Sequence, residues 1–212
     1  MSRPTAPLGN SHASIAALKR AATVLAVALL FGPGAPPQAA PAEPSSQTSS
    51  AAPPPQVLRT QVTSLLEQPD ALPPSGSRWQ PLGPAALGVL EELASNPRLP
   101  ASQRARAVTS MAAVDHPQAG DHLRALLGDT HTEPPLRASA ATALSLWAGT
   151  EAIPTLLPYL QDRNGQVRIA VARALGRLGG PQVQQALEER LPSEEEPLVR
   201  EALQQGLTFL EP

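Results

Sequence analysis

Four arginines, Arg104, Arg137, Arg168 and Arg200, stand 33, 31 and 32 residues apart. A period of this size marks a chain that stacks one small unit on the next. Counting three, four and seven residues forward from each gives Ala107, Val108 and Met111, then Ala140, Ala141 and Leu144, then Val171, Ala172 and Leu175. Ten residues forward stand Val114, Trp147, Leu178 and Leu210. These offsets draw the apolar face of an amphipathic helix. Thirteen residues after the arginine a second helix is predicted to start, at Pro117, Thr150 and Pro181. Proline presets φ at a first helical position, and threonine caps exposed N–H groups. The apolar pairs Leu123 and Leu127, Leu156 and Leu160, and Leu187 and Leu191 follow. Gly149 and Gly179-Gly180 fall at the joins, where a helix end favours a left-handed residue. Each unit therefore reads as a short helix, a turn and a longer helix. A helix of about 12 residues is only about 18 Å long and needs neighbours to bury its stripe. The pattern predicts an all-α fold of about four stacked helical hairpins, an α–α superhelix.

The run from Glu151 to Asp162 (EAIPTLLPYLQD), followed by Val167 to Gly179 (VRIAVARALGRLG), resembles a HEAT repeat. Within that family it is similar to the short HEAT-like units of the phycobilisome lyases. The resemblance covers roughly residues 82 to 210. It implies a solenoid in which an Asp ending the first helix and an Arg opening the second form a hydrogen-bonded ladder along the stack. Asp162 and Arg168 match that pattern, and Asp129 and Arg137 match it with a longer turn between them. The last unit departs from it, with Ser193 and the acidic run Glu194-Glu195-Glu196 ahead of Arg200. Such units serve scaffolds, lyase subunits and a few enzymes, so the resemblance implies a fold and leaves the activity open.

The chain has no cysteine, which excludes a disulfide framework, a thiolate nucleophile and a Cys-based zinc site. Residues 1–42 carry Arg3, Lys19 and Arg20 and no acid, whereas residues 43–212 hold 13 arginines against 18 acids, a net charge of −5. A mildly acidic body lacks the basic footprint that nucleic-acid binding requires, so no nucleic-acid partner is expected.

A basic start, the apolar run Ala21 to Phe31 and the break at Gly32-Pro33-Gly34 read as a secretory signal peptide over residues 1–42, with cleavage expected after Ala42. The alternative is an uncleaved membrane anchor over residues 13–31. Residues 43–55, rich in Pro, Ala and Ser, are expected to be a disordered linker. Residues 56–81 are read as a capping helix and a loop holding Trp79, and residues 82–212 as the repeat domain.

His116, His122 and His131 share no face, and neither a His-Glu-x-x-His sequence nor a phosphate-cradling glycine loop occurs. No metal, cofactor or catalytic residue is expected. Glu194-Glu195-Glu196 reads as a solvated turn near the N-terminus of the last helix. The solvent-facing offsets of the second helices should be two, five and nine, which name Arg106, Thr109, Ser139, Thr142, Leu146, Arg173 and Arg177. An arginine pair beside Thr142 and Leu146 suits an acidic peptide segment. The expectation is a non-catalytic, monomeric scaffold, exported to the bacterial cell envelope, that binds a protein partner of unknown identity. The alternative is an accessory subunit of a lyase-like, cofactor-handling enzyme.

Overall fold

The computed structural model describes residues 54–67 and 76–210. The leader expected at residues 1–42, the alternative anchor and nearly all of the expected linker lie outside the described residues. Among the described residues there are helices and no strands, and no helix is long and apolar enough to cross a membrane.

The first helix, α1 (Pro55–Glu67), turns Leu58 and Val62 into the core and packs on the two helices of the first hairpin. One helical turn, α2 (Gly76–Trp79), and a 3-10 turn over Gln80–Leu82 lead to Gly83, whose φ of 64° lets the chain reverse. Trp79 is 4% exposed, so its ring is part of the core.

Four hairpins follow. The first pairs α3 (Ala86–Ser95) with α4 (Ala101–Ser110), and the second pairs α5 (Pro117–Gly128) with α6 (Pro134–Ala148). In the third, α7 (Ile153–Leu156) lies between 3-10 segments at Gly149–Ala152 and Leu157–Gln161, ahead of α8 (Gly165–Leu178). The fourth pairs α9 (Pro181–Arg190) with α10 (Pro197–Thr208). The second helices form one layer in chain order, α4 on α6, α6 on α8 and α8 on α10. Proline opens α5, α6, α9 and α10, where the missing N–H has no partner to lose. The His116 ring and the Asn164 side chain accept from Gln118 N–H and Gln166 N–H and so cap α5 and α8.

The residues three, four and seven after each of the first three arginines are buried as the period requires, from Ala107 to Leu175. One expectation needs correction. The helix predicted to start at Thr150 is split, because Pro154 and Pro158 lack the N–H that an unbroken α-helix uses, and the chain winds into 3-10 turns instead. Gly206 does not interrupt the last helix. A Cβ on Gly176 would lie 2.5 Å from Gly206 Cα, so the two glycines are where α8 and α10 approach most closely.

Candidate protein-binding groove

The second-helix layer carries a groove of about 490 Å³ that crosses three helices. Thr109 from α4, Ala138, Ser139, Thr142 and Leu146 from α6, and Ala170 and Arg177 from α8 line it. These positions are turned away from the buried stripe, as the 3.6-residue period demands. Thr109 Oγ1 donates to Ala105 O at 3.1 Å and Thr142 Oγ1 to Ala138 O at 3.2 Å. With those hydroxyls satisfied within their own helices, both threonines turn methyl groups outward, and the floor is mainly apolar.

Arg177 brings charge to one end. Burial of its guanidinium, and next the charge of Arg173 one turn earlier, lower its pKa, although an arginine stays protonated throughout the ordinary pH range. Neither Arg173 nor Arg177 has an acidic partner among the described residues. Leu146 is 44% exposed at the lip. Of the predicted solvent-facing residues the groove brings together Thr109, Ser139, Thr142, Leu146 and Arg177. Arg173 stands exposed beside it, and Arg106 lies half-buried on α4 outside the lining with contacts of its own. Ala138 and Ala170 were not predicted. Their contribution is absence of bulk, which residue type alone does not reveal.

A cavity of about 560 Å³ lies on the first helices of the last two units, lined by Leu157, Leu160, Gln161, Ala186, Glu189, Arg190 and Ser193. Its arginine is fully engaged: Arg190 donates to Leu160 O, Ser193 Oγ and Glu194 Oε2 at 3.0, 2.6 and 2.7 Å. It offers a ligand no free cation.

A ladder of ion pairs runs along the N-terminal ends of the second helices, beside the groove. Its rungs run between units. Arg137 donates to Leu127 O at 3.0 Å within its own unit and meets both carboxylate oxygens of Asp162 in the next. Arg168 holds its own turn through Asp162 O at 2.8 Å and reaches Glu194 at 2.8 and 2.9 Å and Glu196 at 3.0 Å. Arg104 pairs with Glu133 in the next unit. The match of Asp129 with Arg137 needs correction, because Arg137 meets Asp162 and leaves Asp129 to its own turn. Its carboxylate accepts from His131 N–H and from Thr132 Oγ1, closing its own turn. The reading of Glu194 as solvated is also wrong: it is 3% exposed and supplies the last rung, in place of the Asp that the repeat lacks there. Burial would raise the Glu194 pKa, yet the hydrogen bonds from Arg168 and Glu196 N–H outweigh it and hold the carboxyl below the usual range. The same balance holds Asp162 down, burial opposed by Arg137 and Asn164 N–H.

The three histidines are occupied separately. His116 caps α5, His122 Nε2 lies 2.9 Å from Glu91 Oε1, and His131 Nδ1 lies 3.3 Å from Asp129 Oδ1. Among the described residues no group of three or more His, Cys, Asp or Glu stands close enough to hold a metal ion.

Stacked helical hairpins with a ladder between units and a groove along the second helices define an α-solenoid repeat protein. Residues 129–208 match the family model for HEAT repeats. Among solved structures the chain is similar to the complex of CpcE and CpcF of phycocyanin lyase from Nostoc sp. PCC7120. The two are 22% identical with a TM-score of 0.49, over 71% of this chain and 98% of that chain. No curated protein matches this chain.

Proposed function

We propose that this chain is a non-catalytic protein-binding scaffold, exported to the bacterial cell envelope, whose second-helix groove receives a protein partner. The groove itself is the observation that carries the reading. Its lining consists of methyl, hydroxyl and guanidinium groups, with no carboxylate or imidazole to act as an acid or base. An apolar floor with one charged end is a surface for contact and orientation. Each repeat touches only its neighbours, so a row of second helices presents such a surface rigidly. Export is supported by the basic start, the apolar run Ala21 to Phe31 and the acid-free first 42 residues.

Photo-crosslinking in cells tests the reading. A benzophenone side chain at position 142, in the groove, should yield a discrete crosslinked protein. The same group at Gln185, exposed on α9, should not. Equal labelling from both positions, or none from 142, refutes the groove as an interface. Fractionation and sequencing of the mature N-terminus test export, which fails if Met1 is found intact in the soluble cytoplasm.

A further inference from the structure

The position nine residues after the ladder arginine holds Leu146 on α6, Arg177 on α8 and Phe209 at the end of α10. The three residues therefore occupy equivalent places on adjacent helices. Leu146 is 44% and Phe209 70% exposed, two of the four large apolar side chains most open to water among the described residues. Between them lies Arg177, with Arg173 one turn away, and neither has an acidic partner there. A row reading apolar, cationic, apolar thus runs across the second-helix layer and prolongs the groove onto the last unit.

From this row we infer that the partner segment is an extended peptide carrying one acidic side chain, with a large apolar side chain three residues to either side. The inference rests on the protein-binding reading above and specifies its partner. Packed helix axes lie about 8–10 Å apart, so Leu146 and Phe209 stand about 16–20 Å from each other with Arg177 midway. An extended chain advances about 3.3 Å per residue, so three residues span each step. Charge supplies the centre. Two guanidiniums four residues apart repel each other, and one carboxylate between them relieves the repulsion and gains charge-assisted hydrogen bonds. A phosphate backbone would bring a row of anions onto a body of net charge −5, with two cations to receive it.

Selection of phage-displayed random dodecamers on the full chain tests this. The enriched peptides should share an Asp or Glu flanked at minus three and plus three by Leu, Ile, Phe or Met. Against Arg177→Glu their binding, read by fluorescence anisotropy, should weaken at least tenfold, and a fresh selection should enrich Lys or Arg at the centre. Against Phe209→Ser the apolar preference should vanish at one end while the central acid persists. Thermal melts of both variants should match that of the parent chain. Enriched peptides without a central acid, or with apolar residues seven apart as a helix would place them, overturn the inference, as does failure to enrich any peptide. If such peptides are still displaced by Thr142→Arg, the groove stands as an interface and only the proposed partner falls. Peptides that bind Thr142→Arg unchanged remove both.

Discussion

Arg137 shows what a single side chain does for this fold. Its side chain is 7% exposed and the carboxylate-bearing side chain of its partner Asp162 10%, and between them they tie a carbonyl of one unit to the turn of the next. A buried charge left without its partner costs far more than the intact pair contributes. We expect Asp162→Ala to destabilise by about 3–5 kcal/mol in a denaturant melt. The first rung differs. Glu133 is 51% exposed and Arg104 Nε has no partner, so Glu133→Ala should cost at most about 1 kcal/mol. The same residues set the response to acid. Because the folded pKa values of Asp162 and Glu194 lie below their unfolded values, their stabilisation is complete above about pH 4–5. It is lost as pH falls through the lowered folded values. Melting temperature should therefore drop below about pH 4, and Glu194→Gln should flatten that drop while lowering stability at neutral pH. The ladder was only half legible in the sequence. A period places each arginine within its unit but does not say which unit supplies its acid, and Glu194 enters from a turn that breaks the family's spacing.

Among the elements, α8 and α10 are the most exacting pair. A Cβ at Gly176 would meet the Gly206 backbone, which cannot step aside. One at Gly206 would first meet the tip of Leu187 at 3.0 Å and then Ala172 O at 3.2 Å. Alanine is a better helix former than glycine by about 1 kcal/mol, so both substitutions would stabilise an isolated helix. In this stack we expect the opposite sign. Gly176→Ala should lose about 2–3 kcal/mol and Gly206→Ala less, by calorimetry or urea titration. A gain at Gly176 would show that the helices are not in this register. In sequence, Gly206 reads as a weak point because a glycine inside a helical pattern signals only its low propensity; its use appears once a second glycine faces it. The apolar stripe was legible for the converse reason. Burial follows helix period directly, and the opposite offsets named most of the groove without knowledge of how the helices stack. The 3-10 winding around α7 was written in Pro154 and Pro158, and there the loss of two N–H donors outweighs a stripe that still buries Leu156 and Leu160.

At the scale of the whole stack the question is where it stops. The position four residues after the ladder arginine is buried as Val108, Ala141 and Ala172 and becomes exposed Gln204 in the last unit. Glu201, Gln205 and Thr208 are exposed on the same helix, so this outer face is largely polar, with Leu198 and Phe209 as its exposed apolar side chains. At the other end α1 covers the first hairpin with Leu58 and Val62. A stack of this kind is stabilised by each unit and by each interface between units, and a terminal unit has one interface where an inner unit has two. Local opening should accordingly be easiest at α1 and α10 and hardest at α6 and α8. Amide hydrogen exchange on the full chain is expected to show that gradient, with the slowest amides around Ala140–Leu144 and Val171–Leu175. Asp162→Ala cuts the rung between the two middle units, so it should speed exchange on both sides at once. Gly206→Ala should speed it in α10 and little in α6. Uniform protection along the chain under both substitutions would mean that the described residues unfold as one block, and that the groove does not inherit its rigidity from the rungs beside it.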